Sequence, residues 1–104
     1  LSRFSKSKNI NKRRASLVLL CSPLRANGDP KLAQVAFKNI DHLKHEKEIL
    51  ITKAISWVLR SMVKHYRKSL QAYLKVNADT LPKIAVRETM TKLRTGKKTG
   101  AANP

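Results

Sequence analysis

The chain has 104 residues, 41% of them apolar, and sets 23 Lys and Arg against 6 Asp and Glu for a net charge of +17. That length fits one small domain, or part of a larger one, with a modest core, and the apolar share argues against disorder over most of it. A surface so one-sided repels itself and gathers polyanions such as nucleic-acid phosphates, with an affinity that falls as salt rises.

The sequence opens at Leu1 and turns basic at once, which reads as a cut start with further sequence upstream. Cys21 stands alone, so there is no disulfide framework and no thiol pair to hold a metal, and a reducing cytoplasm is the expected setting. No apolar run approaches the roughly 20 residues of a bilayer span. The run from Leu17 to Cys21 is too short for a signal-peptide core, so the expectation is a soluble protein without a membrane partner.

Apolar residues recur at helical spacing nearly throughout, and strand-like alternation is hard to find. The first helix is predicted from Asn9 or Asn11, as N-cap, to Cys21, closing before Pro23 and the turn Asn27-Gly28-Asp29. Asp29-Pro30 opens the second, with Asp as cap and Pro at the first helical position, where a missing N–H costs nothing; the pattern runs to Leu43. After a polar break from Lys44 to Lys47, the longest segment is predicted from about Glu48 to His65. Another follows from about Arg67 to Asn77, then a turn at Asn77-Ala78-Asp79. The last helix is predicted from Leu81-Pro82 to about Leu93, stopping before Gly96, with 1–95 as the helical unit and 96–104 as a flexible tail. Five helices with short connections predict an all-α fold of antiparallel pairs stacked as an α-solenoid, although a compact bundle satisfies the same pattern. No repeat shows at the level of residue identity.

On the long segment, Ile51, Ala54, Ile55, Val58 and Met62 share the stripe expected to be buried. Lys53, Trp57, Arg60 and Lys64, at i, i+4, i+7 and i+11, share another, which sets the only Trp among three cations. One reading is a Trp at the edge of a helix contact among solvated cations. The other is a nucleic-acid surface, with cations on phosphates and the indole against a sugar or base. Lys83, Arg87 and Arg94 repeat the spacing on the last helix, with Met90 in the i+7 slot, so two basic stripes on odd-numbered helices are expected to line one concave surface. Near the start, Lys12-Arg13-Arg14 runs into the block Leu17 to Leu20. An Arg at a helix N-terminus is disfavoured by the dipole and wants an anion, either a phosphate or a carboxylate such as Asp41 or Glu48.

Catalytic and cofactor chemistry is not visible. His42, His45 and His65 are scattered, and the first two have only Glu46 nearby as a third metal ligand. Gly28, Gly96 and Gly100 are too far apart for a phosphate loop, and no nucleophile motif appears, so no metal, cofactor or catalytic residue is expected within the chain. The acids Asp41, Glu46, Glu48, Asp79 and Glu88 read as helix-end or i, i+4 partners for the many bases.

Two blocks carry a family resemblance. Asn9-Ile10-Asn11-Lys12-Arg13-Arg14-Ala15-Ser16 before an aliphatic run, and Lys47-Glu48-Ile49-Leu50-Ile51-Thr52-Lys53-Ala54-Ile55-Ser56-Trp57-Val58-Leu59-Arg60, resemble the C-terminal half of the AlkD-type alkylpurine DNA glycosylases. Leu81-Pro82 through Arg87-Glu88 resembles the family's last helix, so nearly the whole chain is covered. The resemblance implies a C-shaped stack of HEAT-like pairs, a monomer whose basic concave face holds duplex DNA, alkylated at a lesion, in the cytoplasm and on the nucleoid. It implies excision of positively charged N3- and N7-alkylated purines without the base flipping common to glycosylases.

Residue by residue, the resemblance implies that Trp57 packs near the lesion deoxyribose and Arg14 of the Arg13-Arg14 pair binds the phosphate, with Lys53 and Arg60 around that site. Lys64, Lys83 and Arg87 complete the expected DNA-binding set. The family's catalytic Asp, with its aromatic partner, precedes the Arg pair, so the 104 residues are expected to bind DNA and excise nothing. The chain departs from the family at Asn11, where Trp is common, and at Ser56, where Gly is. Two other partners fit the charge: an acidic protein on a helical-repeat scaffold, and RNA.

Overall fold

In the computed structural model, residues 6–96 are described, and they form five helices with no strand among them. These are α1 (Ile10–Ala26), α2 (Pro30–Leu43), α3 (Ile49–Ser61), α4 (Arg67–Asn77) and α5 (Lys83–Thr95). The tail expected beyond Gly96 lies outside the described residues.

Local chemistry sets most of the ends. The Asn9 side chain accepts from the N–H of Asn11 at 2.8 Å and opens α1. Asp29 accepts from the N–H of Lys31 at 2.9 Å and, with Pro30 in first position, opens α2. Gly96 closes α5 at φ +80°, donating to the Lys92 carbonyl at 2.7 Å, a left-handed conformation that favours a residue without a Cβ.

Two ends differ from expectation. α1 does not stop at Cys21 but continues through Pro23 to Ala26. Leu24 is fully buried, so burial holds the helix for another turn, and the N–H that Pro23 lacks leaves open only the carbonyl of Leu19, a residue 54% exposed, on the solvent side where water can serve. Pro23→Ala restores that bond and is expected to raise stability by about 1 to 2 kcal/mol, short of the full interior-proline penalty because the ring is half-buried. A urea midpoint that stays put or falls would show that ring packing matters more. At the other end, α3 closes at Ser61 instead of running to His65. Met62 and Val63 donate to Leu59 and Arg60, a tighter three-residue pattern that brings Val63 and Tyr66 into the core beside Met62.

The broadest contacts run from α1 to α3 and from α3 to α5, so the odd-numbered helices form a layer with α3 at its centre, and α2 packs against α1 and α3. Ile51, Ala54, Ile55, Val58 and Met62 are all buried, as their spacing predicted, and meet Leu17, Leu24, Ile40, Leu43 and Leu70 in one core. α4 is tied in by the Phe37 and Tyr73 rings, stacked 4.2 Å apart, and by the Tyr73 hydroxyl, which donates to Asp41 at 2.6 Å. Burial and that carboxylate push the Tyr73 phenol up, so it stays protonated and donating. The Asn39 amide, wholly buried, joins α2 to α1 by donating to the Ser16 carbonyl at 2.9 Å. This is the all-helical, layered packing that stacked helical pairs predict.

Candidate nucleic-acid interface

The outer side of the odd-numbered layer carries a hollow of about 290 Å³ between α1, α3 and α5. Arg14, Lys53, Trp57 and Arg60 line it, with Ile84 and Glu88 from α5. Four of the expected DNA-binding residues therefore meet at one place. The indole of Trp57 is 39% exposed, so it is neither enclosed in the core nor free in solvent. Helix geometry explains its position. Ile51, Ile55 and Val58 take the inner side of α3, Ala54 and Ser61 turn to α1, and Ser56 turns to α5, which leaves Trp57 on the outward crest.

α1 contributes more than Arg14. Arg25 lies eleven residues on, three helical turns or about 16 Å along the same side, and its guanidinium donates to the Ser61 hydroxyl at 3.5 Å. Ser61 in turn donates to the Trp57 carbonyl at 2.8 Å. Buried Cys21 lies between the two arginines in α1. Burial pushes its thiol up, while the Ser61 hydroxyl and the positive charges of Arg25, Arg60 and Arg14 pull in the opposite direction. Among the described residues Arg14 makes no hydrogen bond or ion pair, which leaves its charge available to an anion.

A carboxylate also borders the hollow. The hydroxyl of Ser56, fully buried, donates to Glu88 Oε1 at 2.6 Å, and Arg60 Nε donates to the same hydroxyl at 3.2 Å. This chain of bonds ties α3 to α5 and fixes where the Arg60 guanidinium stands beside Trp57. Glu88 is thus a partner across helices and a wall of the hollow.

The other expected residues lie elsewhere. Arg13 is spent on structure. Its Nη2 donates to Glu46 Oε1 at 3.1 Å, its Nη1 donates to the carbonyls of Ser7 and Lys8, and its Nε stands 2.9 Å from Glu46 Oε2 but off the line of a hydrogen bond. The carboxylate partner is Glu46, from the α2–α3 turn, and neither Asp41 nor Glu48: Asp41 holds Lys44 and Tyr73, and Glu48 starts α3 through its backbone. Lys64 leaves the Trp57 stripe because α3 has ended, and it lines a second hollow near Gly28 and Tyr66. Lys83 faces the α2–α3 turn beside Glu46. Arg87 is exposed on the crest of α5, while Met90 and Arg94 edge an apolar groove between α4 and α5 with Leu74 and Val86.

Among the described residues, no group of three His, Cys, Asp or Glu side chains could hold a metal ion, and no helix is long and apolar enough to cross a membrane.

An all-helical, layered protein whose odd-numbered helices present a basic, Trp-centred hollow belongs among the helical-repeat type of fold. The family model described as DNA alkylation repair enzyme matches residues 1–93, and the chain belongs to that family. Its role is therefore in DNA alkylation repair. No curated protein and no solved structure matches the chain.

Proposed function

We propose that the chain binds duplex DNA on the outer side of the α1, α3, α5 layer, with Trp57 against a sugar or base and Arg14, Arg25, Lys53 and Arg60 on the flanking phosphates. The observation that carries this reading is the half-exposed indole inside a hollow lined by Arg14, Lys53 and Arg60. Arg87, exposed on α5, extends the same layer's positive surface, whereas Lys83, beside the α2–α3 turn, stands apart from it. The finer reading is AlkD-like and HEAT-like. A positively charged N3- or N7-alkylated purine is already a good leaving group, and its excision needs a carboxylate near the developing oxocarbenium sugar. The family resemblance puts that Asp ahead of the Arg pair, and residues 1–12 contain no acid. The 104 residues by themselves are thus expected to bind DNA without releasing 7-methylguanine, and release at an enzyme-like rate would overturn that assignment.

The test of binding is a competition. With four cations on phosphates, the log–log salt slope on duplex DNA should be roughly −3.6, at about 0.9 per phosphate. Duplex DNA should displace both an RNA duplex and a poly-glutamate peptide of equal charge. An RNA preference, or a peptide that competes as well as DNA, would reassign the face to RNA or to an acidic protein.

A further inference from the structure

The α1, α3, α5 layer is basic with one exception. Its helices carry four, two and four Lys or Arg, and one acid between them, Glu88. The other five acids lie off these helices: Asp29 and Glu48 cap helices, Glu46 and Asp79 sit in turns, and Asp41 on α2 holds Lys44 and Tyr73. Glu88 lines the hollow together with Trp57, Arg14, Lys53 and Arg60. A carboxylate in a hollow that receives phosphates opposes its own ligand.

The bond to Ser56 does not by itself call for that charge. Glu88 is half-buried and accepts from the Ser56 hydroxyl at 2.6 Å, which Arg60 Nε reaches at 3.2 Å. What Ser56 needs there is an acceptor, and the amide oxygen of a Gln would serve as well. Ser56 is fully buried, so it holds the carboxylate at the wall of the hollow. Once phosphates sit on Arg14, Lys53 and Arg60, the charges of those three are matched. The groups of the hollow with an electrostatic preference still to meet are the face of the Trp57 indole and the Glu88 carboxylate, and both prefer a cation.

We propose that Glu88 is the specificity-determining residue of this face: its held negative charge works against an ordinary duplex and in favour of a nucleotide whose base carries a positive charge, as N7-alkylation of a purine confers. The assignment rests on the DNA-binding reading above, and it concerns binding, not cleavage of the glycosidic bond. Two simpler roles have different consequences. A carboxylate that only offsets its three cationic neighbours lowers affinity for every duplex alike. One that only holds Arg60 through Ser56 raises affinity for every duplex alike.

The test uses the full chain, as wild type and as Glu88→Gln, which keeps the side-chain length and the acceptor for Ser56 while removing the charge. Three 20-base-pair duplexes of one sequence carry guanine, 7-methylguanine or its uncharged isostere 7-methyl-7-deazaguanine at the central position. Wild type should bind the 7-methylguanine duplex roughly fivefold more tightly than the isostere duplex, the scale of a single ion pair open to water. In Glu88→Gln that ratio should fall to about one, while affinity for the guanine duplex rises severalfold. If wild type binds duplex DNA but does not separate the charged base from its isostere, or if Glu88→Gln keeps the wild-type ratio, the assignment is wrong and the Trp57 face stands. A gain in Glu88→Gln that is equal on all three duplexes overturns it in favour of charge balancing, and a loss that is equal on all three overturns it in favour of Arg60 positioning. Wild-type chain that binds none of the duplexes takes down both readings.

Discussion

Trp57→Ala is expected to weaken duplex DNA binding by about 10-fold to 100-fold and to leave the salt slope unchanged, since stacking on an aromatic ring is worth roughly 1 to 3 kcal/mol per base and involves no counterion release. The ring is 39% exposed and stands on the outward crest of α3, so its removal opens no large cavity in the core. The melting temperature should therefore move little. Arg14→Gln is the matched contrast: it should cut the slope by roughly 0.9 as well as the affinity. If Trp57→Ala leaves affinity and slope both as in wild type, the indole is only the edge of a helix contact, and the binding face loses its centre.

Ile55→Ala should do the reverse. Ile55 is fully buried in the middle helix of the odd-numbered layer, which touches α1, α2 and α5 at once. Losing its branched side chain there removes apolar burial and leaves a void that three neighbours cannot all close, a cost of about 2 to 5 kcal/mol. Small domains hold only about 5 to 15 kcal/mol in total, so the urea midpoint should fall by a large fraction. The duplex affinity of the chain that remains folded should match wild type, because no atom of Ile55 reaches the hollow. A midpoint within a few per cent of wild type would mean that α3 is not the centre of the packing.

Much of this architecture was legible beforehand because helix periodicity is local. The stripe Ile51, Ile55, Val58 and Met62 is buried as its 3.6-residue spacing demands, and Asp29-Pro30 starts a helix for reasons contained in two residues. The gathering of Lys53, Trp57 and Arg60 was equally legible, since one helix fixes their relative bearings. Arg25 escaped notice through one wrong boundary. Its i, i+11 relation to Arg14 was in plain view, but a proline normally stops a helix, and burial of Leu24 beyond it is a tertiary fact. Lys64 was misplaced for the opposite reason, because the helix assumed to carry it had already ended at Ser61.

What the amino-acid order settled alone is the all-helical character, most helix ends, the buried stripe and a surface that seeks anions, because each follows from spacing, capping or summed charge within a short stretch. Only the tertiary structure decided which cations face the same way. Neighbouring arginines on a helix point about 100° apart, so Arg13 and Arg14 cannot serve one surface, and the choice between them was made 33 residues away, where Glu46 closes on Arg13. Glu88 was assigned in the same manner, by a hydroxyl on another helix. Partners so distant in sequence are joined by packing, which a local pattern does not encode.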